Sequence, residues 1–79
     1  MPKRERHPMP DDVREALTRR GLTDAYEDRP PYQRNDYLGW IARAKRAETR
    51  EKRLAQMLAE LAAGDRYMNM EWRSPTRER

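Results

Sequence analysis

The stretch YLGWIARAKRAETREKRLAQMLAEL, residues 37–61, decides the fold. It carries two apolar stripes at helical spacing. Tyr37, Trp40, Ile41 and Ala44 form the first; Leu54, Met57, Leu58 and Leu61 form the second. Between them, Arg43 to Arg53 offers no large apolar side chain. At about 100° per residue, the centres of the two stripes lie roughly 110° apart. One straight helix cannot aim both at a single compact core. The spacing therefore predicts a break near Arg46–Glu48, with Glu48 or Thr49 capping a last helix that runs to about Ala63 and stops at Gly64-Asp65.

Upstream, Pro31 suits the first turn of the helix that carries Tyr37, predicted over about residues 31–44. Tyr32 and Leu38 sit off the centre of its stripe, and Gly39 is read as a place where another helix approaches closely. Tyr37 and Trp40 read as core, Tyr32 as the surface aromatic. A first helix is expected from Pro10–Asp12, with Asp11 or Asp12 at its positive end, Val13, Ala16 and Leu17 on one face, and Gly21 as a left-handed stop. Met9 is placed to pack back on Val13. Thr23 is expected to cap a short helix to about Asp28, ended by Arg29-Pro30. Downstream, Met68, Met70 and Trp72 alternate with polar residues, the period of an extended segment. That segment is expected to lie unpaired across the helices, adding Met and Trp to a sparse core.

Composition sets the limits. Among 79 residues, 18 are Lys or Arg and 14 are Asp or Glu, a net charge of +4, while Leu, Ile and Val together number eight. That aliphatic share lies below the roughly 20% under which a chain of high net charge is expected to be disordered, so composition alone leaves a small helical domain with a thin core or a disordered basic segment. All eight fall between Val13 and Leu61, so the apolar content is concentrated where the helices are. The expectation is an all-α fold: a small bundle of three to four helices over residues 10–72, with an extended C-terminal segment and flexible basic tails at residues 1–9 and 73–79. Its stability should be small, about 3–5 kcal/mol.

The chain has no cysteine, which excludes disulfide frameworks, zinc fingers and iron–sulfur sites. His7 is its only histidine and Ser74 its only serine, so nucleophilic chemistry has little to work with. Gly21, Gly39 and Gly64 are isolated and form no phosphate-binding loop. No enzyme activity, cofactor or metal is expected. No apolar run approaches the ~18 residues of a membrane span, and no secretory leader is visible, so a cytoplasmic protein is expected.

The sharpest polar feature is the strip Arg43, Lys45, Arg46, Arg50, Lys52 and Arg53, which with Glu48 and Glu51 carries +4, as much as the whole chain. Arg43, Arg46, Arg50 and Arg53 are spaced three, four and three, aligned on one helical face where the helix is continuous. Three readings stand. The strip is a solvated helix junction whose arginines pair internally, with Asp36 or Glu60 as candidate acids. It faces an acidic protein or peptide. Or it contacts the phosphates of a nucleic acid.

These residues also resemble a known family. Pro30-Pro31 through Tyr37, then Gly39-Trp40-Ile41, Ala44-Lys45-Arg46, Glu48-Thr49-Arg50, Arg53-Leu54, Met57-Leu58 and Leu61 look like the YdeI/OmpD-associated proteins. The resemblance covers about residues 30–65. It implies a small all-helical domain linked to bacteriocin protection or antimicrobial-peptide resistance, with Lys45, Thr49, Arg50 and Arg53 at signature polar positions; it carries over no catalytic residue. Ala47 departs from the family, where many members have proline. On this footing the expected function is a non-enzymatic interaction module presenting the strip to an acidic partner, with nucleic-acid binding by the same strip as the alternative.

Overall fold

A computed structural model describes residues 7–72; the parts of the expected tails at residues 1–6 and 73–79 lie outside them. The elements in chain order are α1 (Asp11–Arg20), α2 (Thr23–Glu27), α3 (Pro31–Ala42), α4 (Ala47–Ala63), β1 (Arg66–Tyr67) and β2 (Met70–Glu71). The fold is thus mostly helical, with a small hairpin at its end.

α1 begins with Asp11 and Asp12 at its positive end and finishes with Arg19 and Arg20 at its negative end. Gly21 takes φ 67°, and the Leu22 amide donates to the Leu17 carbonyl at 2.8 Å. That bond closes the helix end and turns Leu22 toward the core. Val13 and Leu17 are buried. Pro31 opens α3 as expected, but α3 ends at Ala42, two residues early. The break that the two stripes demand is present but lies slightly upstream of Arg46–Glu48: Arg43 to Arg46 make the bend and α4 starts at Ala47. No helix takes a side-chain cap. Pro10, Leu22, Pro30 and Arg46 occupy the capping positions, so neither Thr23, Glu48 nor Thr49 caps as expected.

The core gathers Val13, Leu17, Tyr26, Tyr37, Leu38, Ile41, Met57, Leu58 and Leu61. Tyr37 is fully buried, but Trp40 sits half-buried at its margin, while Leu38, expected off-centre, is inside. The buried face of α3 thus runs through Gln33, Tyr37, Leu38 and Ile41. Gly39 is buried, and its nearest neighbours are His7, ahead of α1, and Arg43. A methyl group there would meet the His7 imidazole at 2.8 Å and the Arg43 guanidinium at 3.2 Å. The His7 amide donates to Asn35 Oδ1 at 2.9 Å, so the chain before α1 lies along α3, and Met9 packs against the core as expected.

The largest departure is at the C-terminal segment. The expected unpaired strand is instead an antiparallel hairpin, with Arg66 opposite Glu71 and Tyr67 opposite Met70. Met68 and Asn69 turn it with φ 51° and 65°, the two-residue turn whose twist matches paired strands. Asn tolerates that conformation, and the turn reverses the chain before alternation can continue. Tyr67 therefore packs on the core, Met70 is left 57% exposed and Trp72 lies over Arg29.

Candidate functional site

The six strip residues divide by what they touch. Arg50 reaches back to the start of α1, its two terminal nitrogens donating to the Asp12 carboxylate at 2.6 and 3.2 Å. These bonds hold the Asp12 carboxyl below its usual value and push the Arg50 guanidinium up. Arg53 donates to the Trp40 carbonyl at 2.7 Å and lies over the Trp40 indole, 5.2 Å from its centroid. Both arginines therefore pair internally, with partners other than Asp36 and Glu60. They act as struts: Arg50 joins α4 to α1, and Arg53 joins α4 to the end of α3 across the bend.

Arg43, Lys45, Arg46 and Lys52 are exposed. None of the four makes an ion pair among the described residues. Arg43, Lys45 and Arg46 sit in the bend, where the chain is not helical. The bend thus interrupts the face on which a continuous helix would have aligned the four arginines, as the predicted break implies.

The Asp12–Arg50 pair is half-exposed, with side-chain exposures of 56% and 30%. A double-mutant cycle on the two residues should give a coupling of about 0.2–1 kcal/mol. The value should shrink between 0.05 and 0.5 M salt, as screening of a partly exposed pair requires. Thermal unfolding of the wild type, both single alanine variants and the double variant measures it.

A second polar cluster lies inside the fold, and it escaped the sequence reading. Arg29, Gln33 and Glu60 are buried to 5% exposure or less. The Glu60 carboxylate is the hub. Its Oε1 accepts from the Tyr37 hydroxyl and from the Met68 amide at 2.8 Å. Its Oε2 accepts from Gln56 Nε2 at 3.1 Å and from the Asn69 amide at 2.7 Å. Burial pushes this carboxyl up, but the bonds from Tyr37, Asn69, Met68 and Gln56 outweigh it and hold the group below the usual carboxylate range. Burial first, and the bond to Glu60 second, push the Tyr37 phenol far above its ordinary value.

Arg29 serves the same corner. Its guanidinium donates to Gln33 Oε1 and to the Glu60 carbonyl, both at 3.1 Å, and stacks 4.4 Å from the centre of the Trp72 ring. Tyr67 stands edge-on to Tyr32 and Tyr37, with centroids 6.1 and 5.5 Å away, and donates to Asp36 Oδ2 at 2.7 Å. One signal was present in the sequence. Arg29, Gln33 and Tyr37 are spaced four and four, in line with Ile41, so polar side chains continue the core-facing stripe.

Among the described residues, no three His, Asp or Glu side chains gather as a metal cluster would require, and no helix is long and apolar enough to cross a membrane. Compared with known proteins, residues 7–64 match the family model described as Bacteriocin-protection, YdeI or OmpD-Associated. No curated protein and no solved structure matches.

Proposed function

The chain belongs to the bacteriocin-protection, YdeI or OmpD-associated family, and from that premise we propose that it is a non-enzymatic interaction module whose basic bend receives an acidic protein or peptide. The observation that carries this reading is the division of the strip. Arg50 and Arg53 brace the helices, while Arg43, Lys45, Arg46 and Lys52 are exposed and make no ion pair among the described residues. Three exposed cations on the braced bend and one on the helix that follows set up a local positive field that attracts an acidic surface. The ionisable groups of the interior favour binding over catalysis as well: Glu60, Tyr37 and Arg29 are all occupied by protein partners. Base stacking gains little support, since the Trp40 ring already carries Arg53.

The test is a charge reversal of Arg43, Lys45, Arg46 and Lys52 to glutamate in the full chain. The probes are a polyglutamate peptide and a 20-base-pair DNA duplex, at low and moderate salt. The wild type should bind polyglutamate in a salt-sensitive way. The reversed chain should lose about tenfold or more, with unchanged circular dichroism. Binding that survives the reversal excludes the bend as the site, and binding of the duplex alone transfers the strip to nucleic acid.

A further inference from the structure

The contacts at Glu60 divide by origin. Each carboxylate oxygen has one donor fixed on a helix, the Tyr37 hydroxyl for Oε1 and Gln56 for Oε2. Each has a second donor from the hairpin, the adjacent amides of Met68 and Asn69. With the hairpin lifted, the helices alone would still orient the carboxylate, leaving each oxygen able to accept one more bond. Its neighbours are also set from the helical side. Gln33 and the Glu60 carbonyl hold Arg29, and the rings of Tyr32 and Tyr37 flank the place taken by Tyr67. The hairpin itself is slight: two residues in each strand, with Met70, Asn69 and Arg66 exposed. The region matched to the family ends at residue 64, before it begins.

We propose that the surface of α3 and α4 headed by Glu60 is a peptide-recognition site that the hairpin occupies in cis, and that it accepts in trans a peptide turn of the same chemistry. That chemistry is an aromatic residue followed by two residues whose neighbouring backbone amides point at one carboxylate. The carboxylate reads the turn through backbone donors, and the two tyrosines read the aromatic ring edge-on. Oriented acceptors lower the cost of binding because little has to be reorganised when the peptide arrives. This site lies apart from the basic bend and does not depend on its role.

The test uses the full chain with Asn69→Pro. Proline cannot adopt the positive φ of Asn69 and has no amide hydrogen, so the turn is lost while every receiving side chain is kept. The probe is a capped peptide of residues 65–72. A tethered segment acts at an effective concentration on the order of millimolar. The wild type, its site already filled, should therefore bind the free peptide about tenfold or more weakly than the Asn69→Pro chain in calorimetry. Adding Glu60→Gln to that chain, or Tyr67→Ala to the peptide, should each weaken binding about tenfold. No binding at millimolar peptide, or binding indifferent to Glu60, overturns the proposal. If Asn69→Pro fails to fold, hydrogen exchange on the wild type decides. Met68 and Asn69 amides that exchange faster than those of α3 and α4 support a separable strap, and exchange at one common rate overturns it.

Discussion

Replacing Glu60 with alanine should cost about 3 kcal/mol, most of the stability expected for a domain of this size. The side chain accepts four hydrogen bonds in a buried corner, and bonds to charged acceptors contribute about 1.5–3 kcal/mol each, without simple additivity. The loss would strand the Tyr37 hydroxyl inside the core, because Tyr37 is fully buried. Glu60→Gln keeps the shape but presents an NH2 group to donors, so about 1–2 kcal/mol of loss is expected. Urea unfolding at pH 7 measures both.

The same residue gives the domain an acid limit. The folded-state pKa of Glu60 lies below its ordinary value of 4.5. Its contribution is therefore fully present above that value and is lost as pH falls through the lower folded one. Stability measured from pH 6 downward should drop in the wild type, and the drop should be smaller in Glu60→Gln. An identical acid profile for the two proteins would assign the drop to other carboxylates, Asp12 first among them, since Arg50 lowers it too.

Arg29→Ala should cost about 2–3 kcal/mol, and Arg29→Lys nearly as much. The planar guanidinium serves two acceptors and an indole face together. A lysine ammonium has one nitrogen and cannot span them. The alanine variant leaves Gln33 Oε1 and the Glu60 carbonyl short of a donor in a buried place, which is the dearer half of the loss. Arg29→Met, which fills the volume without a charge, should fall between wild type and alanine, because removing the cation also removes its desolvation cost. Thermal unfolding ranks the three variants. Fluorescence of Trp72, recorded in a Trp40→Phe background, should shift to the red in all of them as the ring loses its cover.

Much of the scaffold was legible because its signals are local. Gly21 and Gly64 both take the left-handed conformation that ends a helix. The bend at Arg43–Arg46 follows from two stripes out of phase, a property of Tyr37, Ile41, Leu54 and Leu61 that needs no knowledge of the core. The strip was legible as charge, but its division was not. Arg50 and Arg53 look like Arg43 and Arg46 until Asp12 and the Trp40 carbonyl, 38 and 13 residues away, come within reach.

The hairpin and the Glu60 hub mark the other limit. Alternation at Met68, Met70 and Trp72 describes an extended chain equally well whether or not it turns back, and a two-residue strand is too short to announce a partner. Glu60 sits between Ala59 and Leu61 on a helix whose sequence reads as amphipathic with one misplaced acid. Its burial is reasonable only once the Tyr37 hydroxyl, the Gln56 amide and two backbone amides from a later turn arrive together. The sequence by itself determined where helices start, stop and bend, because those depend on neighbours three or four residues apart. Tertiary structure alone decided which charges became struts, which stayed in water and which acid went inside, because the free energy of burying a polar group depends on partners the chain brings from elsewhere.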